Sequence, residues 1–374
     1  MNRYKKYFSA FFIFWVIFCF QNICLAQLEK PYINAKAFVL MDRTSGRILI
    51  SQNEDMKLPM ASTTKIMTAI VALEKGDLND KVFVSKRATR IGGSKFNIKE
   101  GQQITLKNLL YGLLLCSGND AAIAIAEHIG GNVENFVNMM NIKAYEIGAK
   151  NTHFANPHGL DNPEHYTTAK DLALITKYAL ENPVFCEIVG TKEIEIVDGD
   201  FKKKINNTNR LLRILDYVNG VKTGYTGKAG KCLVASAELD NLNIISVVLN
   251  SQDHFAETIK LLNYGIKNYH PLELLKDNNV YTTIRVKNGI FDSVDLIPAN
   301  KIVALIRKDE NVEIKSQLPQ EIIAPVKKDE EIGTLQIFID GKLLCNVKLK
   351  AAFDVRKKNM FDVFKLLLTE LARF

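Results

Sequence analysis

Tryptophan is nearly missing from this 374-residue chain, and the single one, Trp15, lies close to the amino terminus. Cysteine is scarce, at six residues, and Cys19 and Cys24 fall in the same amino-terminal stretch. The other four, Cys116, Cys186, Cys232 and Cys345, are irregularly spaced. No two have the spacing of a zinc site or a redox pair. Four cysteines over this length also exclude a disulfide-built scaffold, so they read as small buried hydrophobes. The six histidines include no His-Glu-x-x-His pattern, so neither a metal nor another cofactor is called for. No internal repeat or low-complexity block stands out. Charge of one sign does not dominate: the net charge is +8 and dispersed. That argues against a nucleic-acid partner and allows approach to an anionic envelope. With 47% hydrophobic and 24% charged residues, the chain is neither disordered nor fibrous, and it is long enough for two domains.

The first residues follow the layout of a secretory signal: Arg3, Lys5 and Lys6, then the apolar run 11–20, then Cys24-Leu25-Ala26. Residues 1–26 are therefore expected to be a signal peptide, with Gln27 as the mature start. An uncleaved anchor over residues 8–20 is the alternative, although the run is short for a bilayer span.

Ala37–Met41 and Arg47–Ile50 read as strands around Thr44-Ser45-Gly46, a hairpin. Ile66, Met67, Ile70 and Leu73 then recur at helical spacing. Ser62 or Thr63 is placed to cap that helix and Gly76 to end it. Residues 106–116, 120–129, 168–180 and 255–264 read as further helices, and 232–237 and 244–249 as strands. Strands bracketing a run of helices predict an α+β domain over residues 27–270, in which a helical part interrupts a mostly antiparallel sheet. A boundary is expected near residues 270–279. Beyond it the short runs 280–286, 302–306, 312–315, 334–339 and 343–349 predict a small all-β domain over 277–352, with Asp340-Gly341 as a hairpin turn. Residues 357–374 are expected to form an amphipathic helix. Met360, Val363, Phe364, Leu367, Leu368, Leu371 and Phe374 share one face, and Asp362, Lys365, Thr369, Glu370 and Arg373 the other. The expectation is a helix lying in a membrane interface. Docking on its own domain or on a partner chain is the alternative.

Three short elements carry chemistry in a telling order: Ser62-Thr63-Thr64-Lys65, Ser117-Gly118-Asn119 and Lys222-Thr223-Gly224. A serine hydroxyl needs an adjacent base. Residues three apart share one helix face, so Lys65 can reach Ser62. Burial and a second cation, for which Lys222 is the candidate, lower a lysine pKa toward neutrality. Ser117-Gly118-Asn119 sits at a break between two apolar helices, where a serine can relay a proton and an asparagine can hold a substrate amide. Val221–Tyr225 reads as an edge strand able to pair with a peptide. Gly224 there allows close backbone approach, and Thr223 and Lys222 suit a carboxylate. Taken singly, these elements are equally a helix cap, a helix–helix turn and a lysine-protected edge strand.

The ordered trio, together with residues 59–68, Cys116–Ala122, Phe154–Leu160, His165–Ala169 and Gly220–Thr226, resembles the low-molecular-weight penicillin-binding, serine-type D-alanyl-D-alanine carboxypeptidase family. The resemblance runs from about Gln27 to Tyr269, and more loosely through the β-rich tail and terminal helix. It implies a β-lactamase/transpeptidase-like fold. It also implies an exported enzyme, held at the outer face of the cytoplasmic membrane by the last helix, acting on peptidoglycan stem peptides ending in D-Ala-D-Ala and acylated by β-lactam antibiotics. Carried over, Ser62 is the nucleophile and Lys65 its base. Ser117 with Lys222 returns a proton to the leaving D-alanine, and Asn119 orients the substrate. Thr223 and Gly224 line the substrate edge, and the backbone N–H groups of Ser62 and Tyr225 form the oxyanion hole. His158 and His165 are expected to be structural. The rivals are a class A-like β-lactamase, against which Ser-Gly-Asn in place of Ser-Asp-Asn counts, and a non-catalytic penicillin sensor or wall-binding protein.

Overall fold

The computed structural model describes residues 30–371; the expected signal segment lies outside them. Five strands form the central antiparallel sheet: β1 (Ala35–Asp42), β2 (Ile48–Gln52), β3 (Val218–Thr226), β4 (Gly230–Leu239) and β5 (Leu242–Ser251), in the order β2-β1-β5-β4-β3. The two ends of the segment 35–251 thus meet in the middle of the sheet, where β1 pairs with β5. Everything between β2 and β3 is a mostly helical excursion from one sheet face.

The strands alternate as a sheet covered on both faces requires. Val39, Val234 and Val247 point into the larger core with α1 (Lys65–Lys75), whose Ile66, Met67, Ala69 and Ile70 are buried. Phe38, Leu40, Leu233 and Val248 point the other way, against Leu261 and Leu262 of α2 (His254–Asn268). Because α1 is enclosed nearly all round, residues at its start are held by packing and not by solvent-facing polar groups. Its last turn ends at Gly76, whose N–H donates to Ala72 O at 3.0 Å.

The carboxy-terminal part is all-β, and its main sheet has six strands. It includes the hairpin Glu331–Ile339/Lys342–Ala351, turned by Asp340 (φ 48°) and Gly341 (φ 73°), the left-handed pair a two-residue hairpin favours. Three strands differ from expectation, one of them the short Glu321–Ile323. Residues 270–275 are not a bare linker: they form a strand paired with Ile302–Ile306. The strand Ser293–Pro298 was also not anticipated. The β-rich part is tied to the central sheet by Arg47, whose guanidinium donates to Glu310 Oε1 at 2.6 Å, Glu310 Oε2 at 2.9 Å and Leu305 O at 2.7 Å. Asp42 Oδ2 accepts from Leu305 N at 2.9 Å. Cys116, Cys186, Cys232 and Cys345 are free thiols.

The helix Met360–Leu371 opens with Asn359 and Asp362 bonding each other's backbone N–H, both at 2.9 Å, a capping box. Arg356 holds Asp362 at 2.6 and 2.9 Å. Met360, Phe361, Val363, Phe364 and Leu368 are exposed. Among the described residues no helix is long and apolar enough to cross a membrane.

Candidate active site

A 3-10 turn, Ala61–Thr64, leads into α1. It has no side-chain cap, contrary to the sequence expectation. Thr63 donates its hydroxyl to Met60 O and Thr64 to Ala61 O, both at 2.7 Å. The threonines hold the turn, and the Ser62 hydroxyl is left for other work. Ala61 adopts φ 49° and Ser117 adopts φ 62°. Every other described non-glycine with positive φ is an asparagine or aspartate. A side chain beyond those two types costs roughly 1–2 kcal/mol there, and both strained positions flank the cleft. Gly159 makes the turn possible. A Cβ on it would lie 1.9 Å from Ala61 O, at φ +92°.

Lys65 Nζ lies 3.0 Å from Ser62 Oγ, 2.7 Å from Asn119 Oδ1 and 2.6 Å from His158 O. Asn119 Nδ2 donates to Gly92 O at 2.7 Å, which fixes the amide so that its oxygen must face the lysine. Two of the three partners therefore carry no hydrogen and can only accept. A neutral amine has two N–H groups and one lone pair. With the N–H groups given to Asn119 and His158, the lone pair faces the Ser62 hydroxyl. Lys65 is fully buried, and its pKa is held well below the usual lysine range by that burial and then by the charge of Lys222. The geometry puts the amine within reach of the hydroxyl, and the lowered pKa favours the neutral form that can take its proton.

Asn119 is buried; its amide oxygen accepts from Lys65 and its Nδ2 donates to Gly92 O, so it helps position Lys65. It begins the helix Asn119–Gly130. Its neighbour Asp120, which sequence reasoning missed, is wholly buried. Its carboxylate accepts N–H groups from Phe96 at 2.7 Å, Asn97 at 2.7 Å and Ile98 at 3.3 Å. This ties loop 94–98 to the Ser-Gly-Asn break, where Ser94 O accepts from Asn119 N at 2.8 Å. Asp120→Asn places an amide N–H₂ among those donors. We expect a loss of about 2–3 kcal/mol, read as a lower calorimetric midpoint, together with slower acylation by penicillin.

β3 has a neighbour on one side only, so its other edge is open at the cleft. Gly224 fits tightly against the nucleophile turn: a Cβ would lie 3.0 Å from Ser62 N and 3.1 Å from Met60 O. The close backbone approach that the glycine allows is made here by the nucleophile turn. Lys222 is fully buried and donates to Thr223 O at 2.9 Å; burial brings its pKa down to about 8. Thr223 and Thr208 share a hydroxyl hydrogen bond of 2.7 Å. The cleft, about 590 Å³, is lined by Ser62, Ser117, Thr223, Gly224 and Tyr225 together with the cations Arg210, Arg213 and Lys231. No carboxylate lines it. Arg210 sits over the Phe255 ring at 5.9 Å; nothing in its local sequence marks it.

The two histidines brace this site. His165 Nδ1 accepts from Ala155 N at 3.0 Å, so Nε2 carries the proton and faces Thr64 Oγ1 at 2.7 Å. Burial lowers its pKa to about 4 and that of His158 to about 3. Both rings are neutral near pH 7.

A family model described as D-alanyl-D-alanine carboxypeptidase matches residues 25–253, more than half of the chain. The chain belongs to this family. A second model, the C-terminal domain of penicillin-binding protein 5, matches residues 269–357. Among curated relatives, the carboxypeptidase DacF of Bacillus subtilis is 36% identical over 352 residues, covering 91% of this chain and 90% of that protein. DacC of Escherichia coli is 35% identical, covering 84% and 82%. Among solved structures, penicillin binding protein 5 of Haemophilus influenzae superposes with a TM-score of 0.79 at 34% identity, over 88% of this chain and 99% of that one. A Streptomyces K15 DD-transpeptidase, TM-score 0.61 at 33% identity, is covered completely by 64% of this chain. The family's fold, with its main sheet flanked by helices and its β-rich tail, is the one described above.

Proposed function

We propose that this chain is a serine D-alanyl-D-alanine carboxypeptidase that removes the terminal D-alanine from peptidoglycan stem peptides and is acylated by β-lactams at the same serine. The observation that carries the reading is the buried Lys65 amine, 3.0 Å from Ser62 Oγ, with its two remaining partners both pure acceptors.

Ser62 Oγ attacks the carbonyl of the penultimate D-alanine while its proton passes to Lys65 Nζ. The backbone N–H groups of Ser62 and Tyr225 receive the developing oxyanion, each such donor being worth about 3 kcal/mol of barrier. The C–N bond breaks, and the leaving amine takes a proton relayed by Ser117 with Lys222. Water then cleaves the ester, releasing the shortened peptide and restoring the Ser62 hydroxyl. Asn119 keeps Lys65 aimed. The open edge of β3 pairs with the substrate backbone. Thr223 and Arg210, which both line the cleft, meet the terminal carboxylate.

The test is D-alanine release from an N-acylated peptide ending in D-Ala-D-Ala, run beside penicillin turnover. Release with a long-lived penicillin adduct supports the proposal. Rapid penicillin hydrolysis without release would instead fit a β-lactamase, and penicillin binding without either reaction a sensor.

Export through residues 1–26 and peripheral attachment by the last helix complete the proposal. Supporting attachment, the described apolar side chains of that helix are exposed and Lys357 and Lys358 precede it, as an interfacial helix requires. Removing residues 360–374 should abolish co-sedimentation with lipid vesicles and leave D-alanine release within about twofold, since no cleft residue lies there.

A further inference from the structure

A second concavity adjoins the cleft. Tyr225 and Lys231 line both. The second is an open groove of about 400 Å³ at one end of the central sheet, walled further by Asn34, Lys36, Asn250 and Gln252, with no carboxylate in its lining. Strand register explains the continuity. Tyr225 lies opposite Lys231, Lys231 opposite Ser251, and Ser251 opposite Ala35, so one cross-strand row leads from the open edge across the sheet. Tyr225, 69% exposed, stands between the two concavities.

Strand polarity gives the groove a direction. A peptide added antiparallel to β3 runs against its numbering. With the scissile carbonyl at Ser62 and Gly224, the departing residue lies toward Thr223, and the residues upstream of the bond pass Tyr225 and Thr226. They leave the strand where the groove opens. The groove offers two cations and three amide side chains, a lining suited to a carboxylate flanked by peptide bonds.

We propose that this groove is an upstream subsite, and that it holds an acidic residue of the stem peptide through Lys36 and Lys231. The inference rests on the carboxypeptidase reading above. Lys231 donates one of its N–H groups to Gln252 O at 2.8 Å, which holds its ammonium at the groove. Lys36 lines the groove alone and not the cleft, so it can be changed without touching the reacting centre. The subsite acts on KM and not on the chemical step, and its contribution is screened by salt.

The experiment compares two N-acetyl peptides of equal length ending in D-Ala-D-Ala. One carries glutamate two residues before that pair, the other glutamine. The wild-type chain is expected to show a lower KM for the glutamate peptide, with the difference shrinking at high salt. Lys36→Glu is expected to raise KM for the glutamate peptide about tenfold, with kcat, the glutamine peptide and penicillin acylation unchanged. Lys36→Ala should fall between. Equal KM values for the two peptides in the wild type, or a Lys36→Glu effect of the same size on both, would overturn the subsite and leave the carboxypeptidase reading standing. Failure of the wild type to release D-alanine from either peptide would overturn both.

Discussion

Lys65→Met should remove acylation of Ser62 almost entirely, by roughly 10³- to 10⁴-fold, the upper range for loss of a positioned base. Methionine is unbranched, one atom shorter than lysine and suited to a buried site, and its thioether is not basic enough to take the hydroxyl proton. The substitution leaves Asn119 Oδ1 and His158 O without their donor, at about 1–3 kcal/mol each. It also removes a desolvated amine, which offsets part of that loss. Circular dichroism should therefore report a native fold with a midpoint only a few degrees lower, while penicillin adduct formation vanishes. A folded Lys65→Met chain that acylates at the wild-type rate would remove Lys65 from the chemistry.

The same arrangement fixes a pH profile. Acylation needs Lys65 neutral and Lys222 charged. Lys65 loses its proton well below the ordinary lysine range because of burial and the Lys222 charge. The rate therefore climbs with pH on that side. Lys222, brought down to about 8 by burial, sheds its own charge above that value, and the rate falls again. A bell whose alkaline limb centres near 8 is expected in the rate of penicillin acylation.

Gly159→Ala is expected to have the second large effect. Its Cβ would lie 1.9 Å from Ala61 O, a backbone atom with little freedom, at a left-handed φ of +92°. Overpacking and backbone strain together cost on the order of 3 kcal/mol or more. Ala61 precedes the nucleophile and is itself at positive φ, so any relief must displace Ser62. Both the thermal midpoint and the acylation rate should drop. A variant melting within a degree of wild type with unchanged acylation would show that the turn yields freely.

The nucleophile, base and strand motifs were legible because their spacing is local: three residues on one helical turn, or three along one strand. What the motifs touch was not. Asp120 stands beside a recognised motif, yet its partners Phe96, Asn97 and Ile98 are more than twenty residues away and bond through backbone N–H groups, which leave no side-chain signature. Gly159 looks like an ordinary turn glycine until Ala61 is packed on it. Gly224 was read as permitting close backbone approach, but that Met60–Ser62 make that approach is visible only in the fold. That Asn119 also binds Lys65 and Gly92 through its amide is equally invisible in the motif. Among the elements, the hairpin Glu193–Asp198/Phe201–Asn206 was missed because its exposed Glu and Lys residues hide the alternation of Ile196, Asp198, Phe201 and Ile205 toward the core.

The central claim is that Ser62 is made nucleophilic by the Lys65 amine. Incubation with penicillin, followed by intact mass and peptide mapping across a pH series, tests it most directly. One covalent adduct is predicted, on the peptide containing Ser62, absent in Ser62→Ala and forming faster as pH rises from acid toward neutrality. An adduct on another residue, or one that persists in Ser62→Ala, would contradict the account.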